Sequence, residues 1–221
     1  TQGVSSAASD VYKRQAEKDT QRKVLAVLAG GLVLGVGIGV TLAAWNDSEF
    51  ATGTFTAGSF NLEGSTTSAT TGYANHNVDL GQTAAALVFE LPAVASSMSP
   101  GDVVYAPFWV RLDSTTTNSA TLVPSGITAG TGGNEANLSY TVTAIDAGDA
   151  CDATAAGTVV ASGTTLSAQT GATSVPLTEG TPAGTAGTPV QLCFAVTAGA
   201  GLTQGATATA TWEFTATSTA D

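Results

Sequence analysis

The chain has 221 residues, of which 17 are acidic and only 6 are lysine or arginine, so its formal net charge is −11 at pH 7. Beyond residue 44 the imbalance is greater, because 14 acidic residues share that part of the chain with one basic residue, Arg111. Contacts to nucleic-acid phosphates or to anionic lipid headgroups need several lysine or arginine side chains. The composition therefore excludes a nucleic-acid partner and a polybasic membrane-surface patch.

Residues 1–15 show no apolar periodicity, and the stretch VSSAASDVYKRQ within them resembles a translated sequencing adapter. We expect these residues to be foreign to the natural protein and to take no part in its fold. The natural sequence is then expected to begin close to Ala16.

Residues 24–44 form a charge-free apolar run of 21 residues that follows directly after Arg22 and Lys23. A helix of this length reaches about 30 Å, which is enough to cross a bilayer. A basic flank, an apolar core and small residues at its end are typical of export signals, so residues 16–44 are predicted to be a signal peptide. Without cleavage, the same helix would anchor the chain in a membrane, with its basic flank inside.

The end of the apolar run offers two cleavage sites. Signal peptidases favour small residues at the first and third positions before the cut. A cut after Ala43 places Ala43 and Thr41 at these positions. A cut after Ala44 places Ala44 and Leu42 there, which fits less well. The cut after Ala44 would leave residues 45–221 as the exported domain.

Residues 45–221 have the size of one domain and are long enough to bury a sizeable core. They contain two cysteines, Cys151 and Cys193. In an oxidising compartment we expect these cysteines to form a disulfide, and the alternative is a pair of buried free thiols.

Several stretches of the exported part alternate between apolar and polar residues, which is typical of half-buried strands. The clearest alternation covers residues 206–217, and residues 138–144 show the same pattern. In residues 103–112, every second side chain from Val104 to Leu112 is expected to point inward. Because Pro107 has no N–H to donate, this strand is predicted to lie at a sheet edge or to carry a bulge.

Further strands are predicted near residues 55–62, 85–91, 120–127, 158–166 and 190–196. Residues 64–82 and 170–189 are rich in Thr, Gly, Ser and Ala and are predicted to be irregular surface loops. No convincing helical period occurs after residue 45. About eight strands separated by turns predict an all-β fold, a single jelly-roll-like β-sandwich preceded by the N-terminal apolar signal or transmembrane helix.

The residues offer little for an active site. A catalytic zinc site needs about three protein ligands, usually including two histidines, and a Ser–His–Asp site needs one histidine. The chain has a single histidine, His76, and no lysine after residue 44 for a phosphate-binding loop. We therefore predict a protein that is not an enzyme, with no catalytic residue and no cofactor.

A weak candidate for a calcium site is the acidic loop that contains Asp146, Asp149 and Asp152. Carboxylate oxygens are the ligands that calcium prefers. The loop lacks the spacing and the closing glutamate of an EF-hand, so the alternative is a solvated acidic turn.

Three motifs stand near the start of the exported part. The signal ends in TLAAWNDSEF, residues 55–62 read FTAGSFNL, and residues 98–102 read MSPGD ahead of FWV at residues 108–110. Together they resemble the TasA/camelysin family, whose export uses a SipW-type signal peptidase. The family shows a small-small-aromatic-Asn-Asp junction, an F-x-A-G-x-x-x-L segment and an L-x-P-G-D turn that leads into an F-x-F strand. Met98 departs from the usual leucine.

The resemblance implies a cut between Ala44 and Trp45 and a jelly-roll domain that is secreted to the cell surface. For some family members it also implies fibres of the biofilm matrix, in which the freed N-terminal segment of one subunit adds as a strand to the next. Here the donor would be residues 45–56, with Trp45, Phe50 and Phe55 as apolar anchors. The expected partners are the chain itself or other matrix proteins, and the signal peptidase during export.

The sequence is also compatible with two other functions. The chain could be a monomeric surface domain for binding or adhesion, with residues 64–82 and 170–189 as its contact surface. The camelysin branch is described as a metalloprotease, and a secreted metalloendopeptidase is the minor alternative. With one histidine, the sequence gives no support for that activity.

Overall fold

The computed structural model describes residues 18–29, 52–54 and 57–219 of the chain. The chain forms two compact units, Thr1–Phe55 and Thr56–Asp221. In the first unit, residues 18–29 form helix α1, whose described side chains are all exposed. Within the described ranges, no helix is both long and apolar enough to cross a membrane.

The predicted apolar helix extends beyond the described part of the first unit. Its residues 24–29 are helical, and residues 30–44 lie outside the described ranges. The same holds for four residues that the sequence singled out for cleavage or assembly: Ala44, Trp45, Phe50 and Phe55. The roles assigned to these four residues stay predictions.

The second unit is built almost entirely from strands. Its described residues form β1 (Leu62–Ser65), β2 (Val103–Leu112), β3 (Ala120–Ala129), β4 (Leu138–Asp146), β5 (Thr158–Gly163), β6 (Val175–Leu177), β7 (Val190–Ala198) and β8 (Ala210–Ser218). A single turn of α-helix, α2 (Pro92–Ala95), and two 3-10 turns lie in the connections.

The strands form two antiparallel sheets that enclose one core. Five strands are arranged in the order β1-β2-β7-β4-β5 and three in the order β6-β3-β8. Side chains of both sheets meet between them, as Phe194 of β7 and Trp212 of β8 do at a ring distance of 5.1 Å. The structure thus confirms the predicted all-β, sandwich-like fold.

The strongest alternations in the sequence correspond to strands with one buried face. Along β4 the buried residues include Leu138, Tyr140 and Val142. Along β8 the apolar residues are half-buried and the intervening threonines are exposed. The period of two therefore predicted both the strands and the face that each turns to the core.

Pro107 does not lie on an edge strand, which corrects one prediction. Strand β2 has β1 on one side and β7 on the other. However, β1 is short and covers only Trp109 to Leu112, so Pro107 lies beyond its end. The missing N–H is tolerated because that part of β2 behaves locally as an edge.

Three further predictions about strands were wrong or displaced. Residues 57–61 are not a strand, and β1 begins at Leu62. Residues 85–91, predicted to be a strand, belong to neither sheet. Strand β6 lies within the stretch 170–189 that was predicted to be irregular, and its three residues are too few to show a period.

The predicted disulfide joins Cys151 and Cys193, with Cα atoms 5.2 Å apart. Cys193 lies on the central strand β7, and Cys151 lies in the loop between β4 and β5. The Trp109 indole N–H donates to the Ala147 carbonyl at 2.9 Å, a second tie to the same loop. Together these contacts hold the loop against the outer face of the five-stranded sheet, where Ile145 joins a small second apolar cluster.

Candidate functional site

The two sheets have four edge strands, and three of them are short or partly covered. An isolated bridge joins Gly64 of β1 to Ala74, and another joins Ser162 of β5 to Thr170. Strand β6 has only three residues. Strand β8 has nine residues, pairs with β3 on one side, and has no partner strand on the other side among the described residues.

The direction of the backbone along β8 follows from its hydrogen bonds. Thr219 donates its N–H to Ser119 at 2.8 Å, at one end of β8. Beyond the other end, the Thr209 and Thr207 carbonyls accept from Gly130 and Asn134 at 2.8 and 3.0 Å. Because alternate residues of a strand direct their N–H and C=O groups to opposite sides, every odd-numbered residue from 207 to 219 faces β3 or the residues directly before and after it.

The even-numbered residues from 208 to 218 must then direct their backbone groups away from β3. On that side, the described part of the chain provides neither a hydrogen-bond donor nor an acceptor for them. We call this row of backbone groups the open edge of β8. Such an edge is a template for pairing with another strand.

The side chains of these even-numbered residues point into the sandwich, yet they are incompletely covered. Trp212 and Phe214 pack edge-on against Phe194, at ring distances of 5.1 and 6.1 Å. Both remain half-buried, whereas Phe194 on the central strand is 1% exposed. A strand beside β8 would cover the remaining apolar surface of both aromatic side chains.

The open edge lacks the features that usually protect an edge strand from pairing. Strand β8 contains no proline and no lysine, and its one charged residue is Glu213. The only irregularity in the β3–β8 pair lies on β3, between Pro124 and Gly126. The backbone of β8 therefore runs without a bulge along its nine residues.

A polar cluster fixes the chain that leads into β8. The Asn134 side-chain amide donates to the carbonyls of Thr203 and Ala206, at 3.0 Å each. The neighbouring Glu135 carboxylate accepts from the N–H groups of Gly132 and Gly133 at 2.6 and 2.8 Å.

Hydrogen bonds from backbone N–H groups, its own and that of Gly132 foremost, lower the pKa of Glu135 despite an opposing effect of burial. The Glu135 carboxylate is therefore ionised at neutral pH and keeps its hydrogen bonds to Gly132 and Gly133. These bonds hold residues 130–135 beside the start of the open edge.

The chain enters the domain close to the other end of β8. Thr117 donates its N–H to the Ser59 carbonyl at 3.0 Å, and Asn61 donates its N–H to the Thr116 hydroxyl at 2.9 Å. Residues 57–61 are thus tied to the turn between β2 and β3. Ser119, which receives the bond from Thr219, follows directly after that turn.

Asp113 organises this turn. Its carboxylate accepts from the Asn61 amide at 2.9 Å and from the N–H and hydroxyl groups of Thr115 and Thr116. Burial alone would raise the pKa of Asp113, but the hydrogen bonds from Asn61, Thr115 and Thr116 together lower it. The ionised carboxylate therefore holds residue 61, the last residue before β1, in place.

The calcium candidates do not converge on one site. Asp152 accepts from the N–H and hydroxyl of Thr154 at 2.7 and 2.6 Å. Asp146 and Asp149 line a cleft of about 350 Å³ that Asp152 does not reach. Among the described residues, no three acidic, histidine or cysteine side chains are grouped as a metal site would require.

His76 lies on the surface of the domain. Its Nδ1 atom is 3.1 Å from the Thr83 carbonyl, and its ring is 6.5 Å from that of Phe108. The His76 ring therefore helps to pack the loop after β1 against the domain.

The sequence predicted the residues of β8 but not its open edge. Alternation shows which face of a strand is buried, whereas it carries no information about which strands pair. The absence of proline and lysine from residues 206–217 was visible, and it is the one signal that could have indicated an unprotected edge.

Neither the protein-family models nor the curated proteins contain a match to this chain. What the open edge does must be inferred from its backbone geometry, its side chains and the composition of the chain.

Proposed function

We propose that the chain is a secreted, non-catalytic structural protein of a bacterial cell surface or biofilm matrix. Its subunits join when a strand of one subunit adds to the open edge of β8 in the next. The observation that carries this proposal is the row of backbone groups at residues 208–218 that meets no partner in the described part of the chain. Strand addition satisfies such groups and forms a continuous sheet.

The unequal sheets support this proposal. A jelly roll distributes eight strands over two sheets, and we assign the domain to that class. Here five strands face three, and the aromatic side chains of β8 are only half covered. One more strand beside β8 would give the smaller sheet four strands and bury Trp212 and Phe214.

Residues 45–56 suit the role of the added strand. They are twelve residues long, close to the eleven residues from 208 to 218 along the open edge. In an extended strand, Trp45 and Phe55 point to the same side and Phe50 points to the opposite side. Trp45 and Phe55 would therefore face the sandwich together, and Phe50 would lie on the outer surface.

This mode of addition leads to filaments. The donor and the acceptor are different surfaces, so each subunit keeps one of each after it has joined a neighbour. Residues 57–61 fix the point from which the donor leaves its own domain, which gives each addition the same geometry. The partner is thus another copy of the chain, or a matrix protein that offers a similar edge.

The composition and the disulfide fit an extracellular location. A buried disulfide is typical of oxidising compartments, and the signal peptidase would act on the chain during export. The acidic surface keeps separate subunits soluble, and salt screens their repulsion during assembly.

Electron microscopy and sedimentation of a protein that starts at Trp45 test the proposal. It is expected to form filaments, whereas a protein that starts at Ala57 is expected to form none. Replacement of Phe55 by Ser should reduce assembly more than replacement of Phe50, because only Phe55 shares its side with Trp45.

Filaments from the protein that starts at Ala57 would contradict strand donation by residues 45–56. A stable monomer of the longer protein at high concentration would favour the adhesion domain instead.

A further inference from the structure

Residues 84–91 belong to neither sheet. Leu87 and Phe89 pack against the main core, whereas Val88 and Leu91 are 58% and 54% exposed. Between residues 86 and 90, exposed and half-buried side chains alternate, as they do in a strand. The sequence predicted a strand at residues 85–91.

One backbone bond attaches the segment to the five-stranded sheet. Glu90 donates its N–H to the Tyr105 carbonyl of β2 at 2.9 Å. The next residue of β2 that directs its backbone to this side is Pro107, which has no N–H. Pro107 thus cannot add a second bond, and the described residues show one backbone bond between the segment and β2.

The other side of the segment is unpaired. Since Glu90 turns its N–H towards β2, residues 85, 87 and 89 direct their backbone groups away from it. None of the described residues pairs with these groups through its own backbone. Relative to the described part of the chain, the segment thus presents an unpaired edge with apolar side chains on both faces.

We propose that residues 84–91 form a twofold interface between two copies of the chain, in which the two segments pair antiparallel about Val88. This contact is separate from strand addition at β8 and does not depend on it. A twofold contact closes on itself and gives a dimer, or joins two filaments side by side.

The distribution of charge favours a second copy as the occupant. Each copy repels another through its acidic surface, but residues 80–89 carry no charge. Pairing about Val88 places Glu90 opposite Ala86 of the second copy, so the two glutamates do not face each other across the strands. Higher salt is expected to strengthen the dimer, because it screens the repulsion elsewhere.

The register also pairs apolar side chains on both faces. Val88 meets Val88 of the second copy as a pair without direct backbone bonds, where Cα atoms approach to about 4.5 Å. On the other face, Leu87 lies opposite Phe89. The same contact thus gives the unpaired backbone groups hydrogen bonds and buries the exposed apolar side chains.

Cross-linking tests this interface in the full exported chain, residues 45–221. Val88→Cys is expected to form a disulfide-linked dimer under mild oxidation, because the Cα separation at the axis suits a disulfide. Val159→Cys is the matched control, since Val159 is 50% exposed on β5, outside the segment. The Val88 variant should cross-link about tenfold faster or more, because the dimer raises the effective concentration of its thiols.

Sedimentation gives a second measurement on the same chain. Val88→Asp is expected to weaken dimer formation at least about tenfold, by placing two carboxylates opposite each other, while Val159→Asp leaves it unchanged. In filaments, the Val88 variant should reduce side-by-side pairing and leave single filaments intact. Equal cross-linking at both positions, or a dimer that Val88→Asp does not weaken, would overturn this interface and leave strand addition at β8 unaffected.

Discussion

At the scale of single residues, Asp113 links the start of the domain to the turn before β3. Its carboxylate collects hydrogen bonds from Asn61, Thr115 and Thr116. Asp113→Asn keeps the shape of the side chain but sets its amide against the amide of Asn61. We expect a loss of about 1 kcal/mol in the free energy of unfolding at pH 7, measured by urea denaturation. Asp149→Asn, on an exposed loop, is the control and should have no effect.

The pH dependence of this effect follows from the lowered pKa of Asp113. A carboxyl group whose pKa is lower in the folded state stabilises the protein above its unfolded pKa of about 3.9. That contribution is lost as the pH falls through the folded pKa. The difference between Asp113→Asn and the parent protein should therefore shrink in acid, and a constant difference would contradict the assignment.

Gly64 on β1 is a second residue whose identity is fixed by packing. A Cβ atom there would overlap the Phe108 ring, so the ring or the strand must move. Gly64→Ala is expected to cost about 1–3 kcal/mol in urea denaturation. At Gly148 a Cβ would meet nothing within 4 Å, so Gly148→Ala is the matched control. An equal, small effect of both substitutions would show that β1 can shift without cost.

At the scale of elements, the loop between β4 and β5 depends on its disulfide. The bond joins residues 42 positions apart and attaches the loop to the central strand β7. Replacement of Cys151 and Cys193 by Ala should lower the free energy of unfolding by about 2–4 kcal/mol. A reductant should lower the Tm of the parent protein and leave that of the double variant unchanged. No effect of complete reduction on the parent would refute this role.

The elements also show what a sequence can predict. The alternation in residues 138–144 and 206–217 predicted β4 and β8, because each strand buries one face. Residues 85–91 were also predicted to be a strand, yet Pro107 on β2 cannot continue their pairing. Strand β6 buries only Val175 and Leu177, too few for a pattern. Local periodicity therefore predicts faces, whereas long-range partners decide which segments become strands.

At the scale of the whole molecule, strand addition at β8 and the pairing of residues 84–91 would have different consequences. The first would extend a filament, and the second would join two copies side by side. An acidic domain with two edges that meet no partner among the described residues would thus be soluble as separate subunits and able to build a matrix when salt screens its charge.

Hydrogen exchange of the chain from Trp45 to Asp221, compared between monomers and the assembled state, tests strand addition most directly. In the monomer, the odd-numbered amides from 211 to 217 already bond to β3 and should exchange slowly. The even-numbered amides from 210 to 216 should exchange fast in the monomer and slow by at least about 100-fold on assembly, because the added strand accepts their hydrogen bonds. Even-numbered amides that exchange equally fast in both states, or protection that appears at β5 instead of β8, would contradict the account.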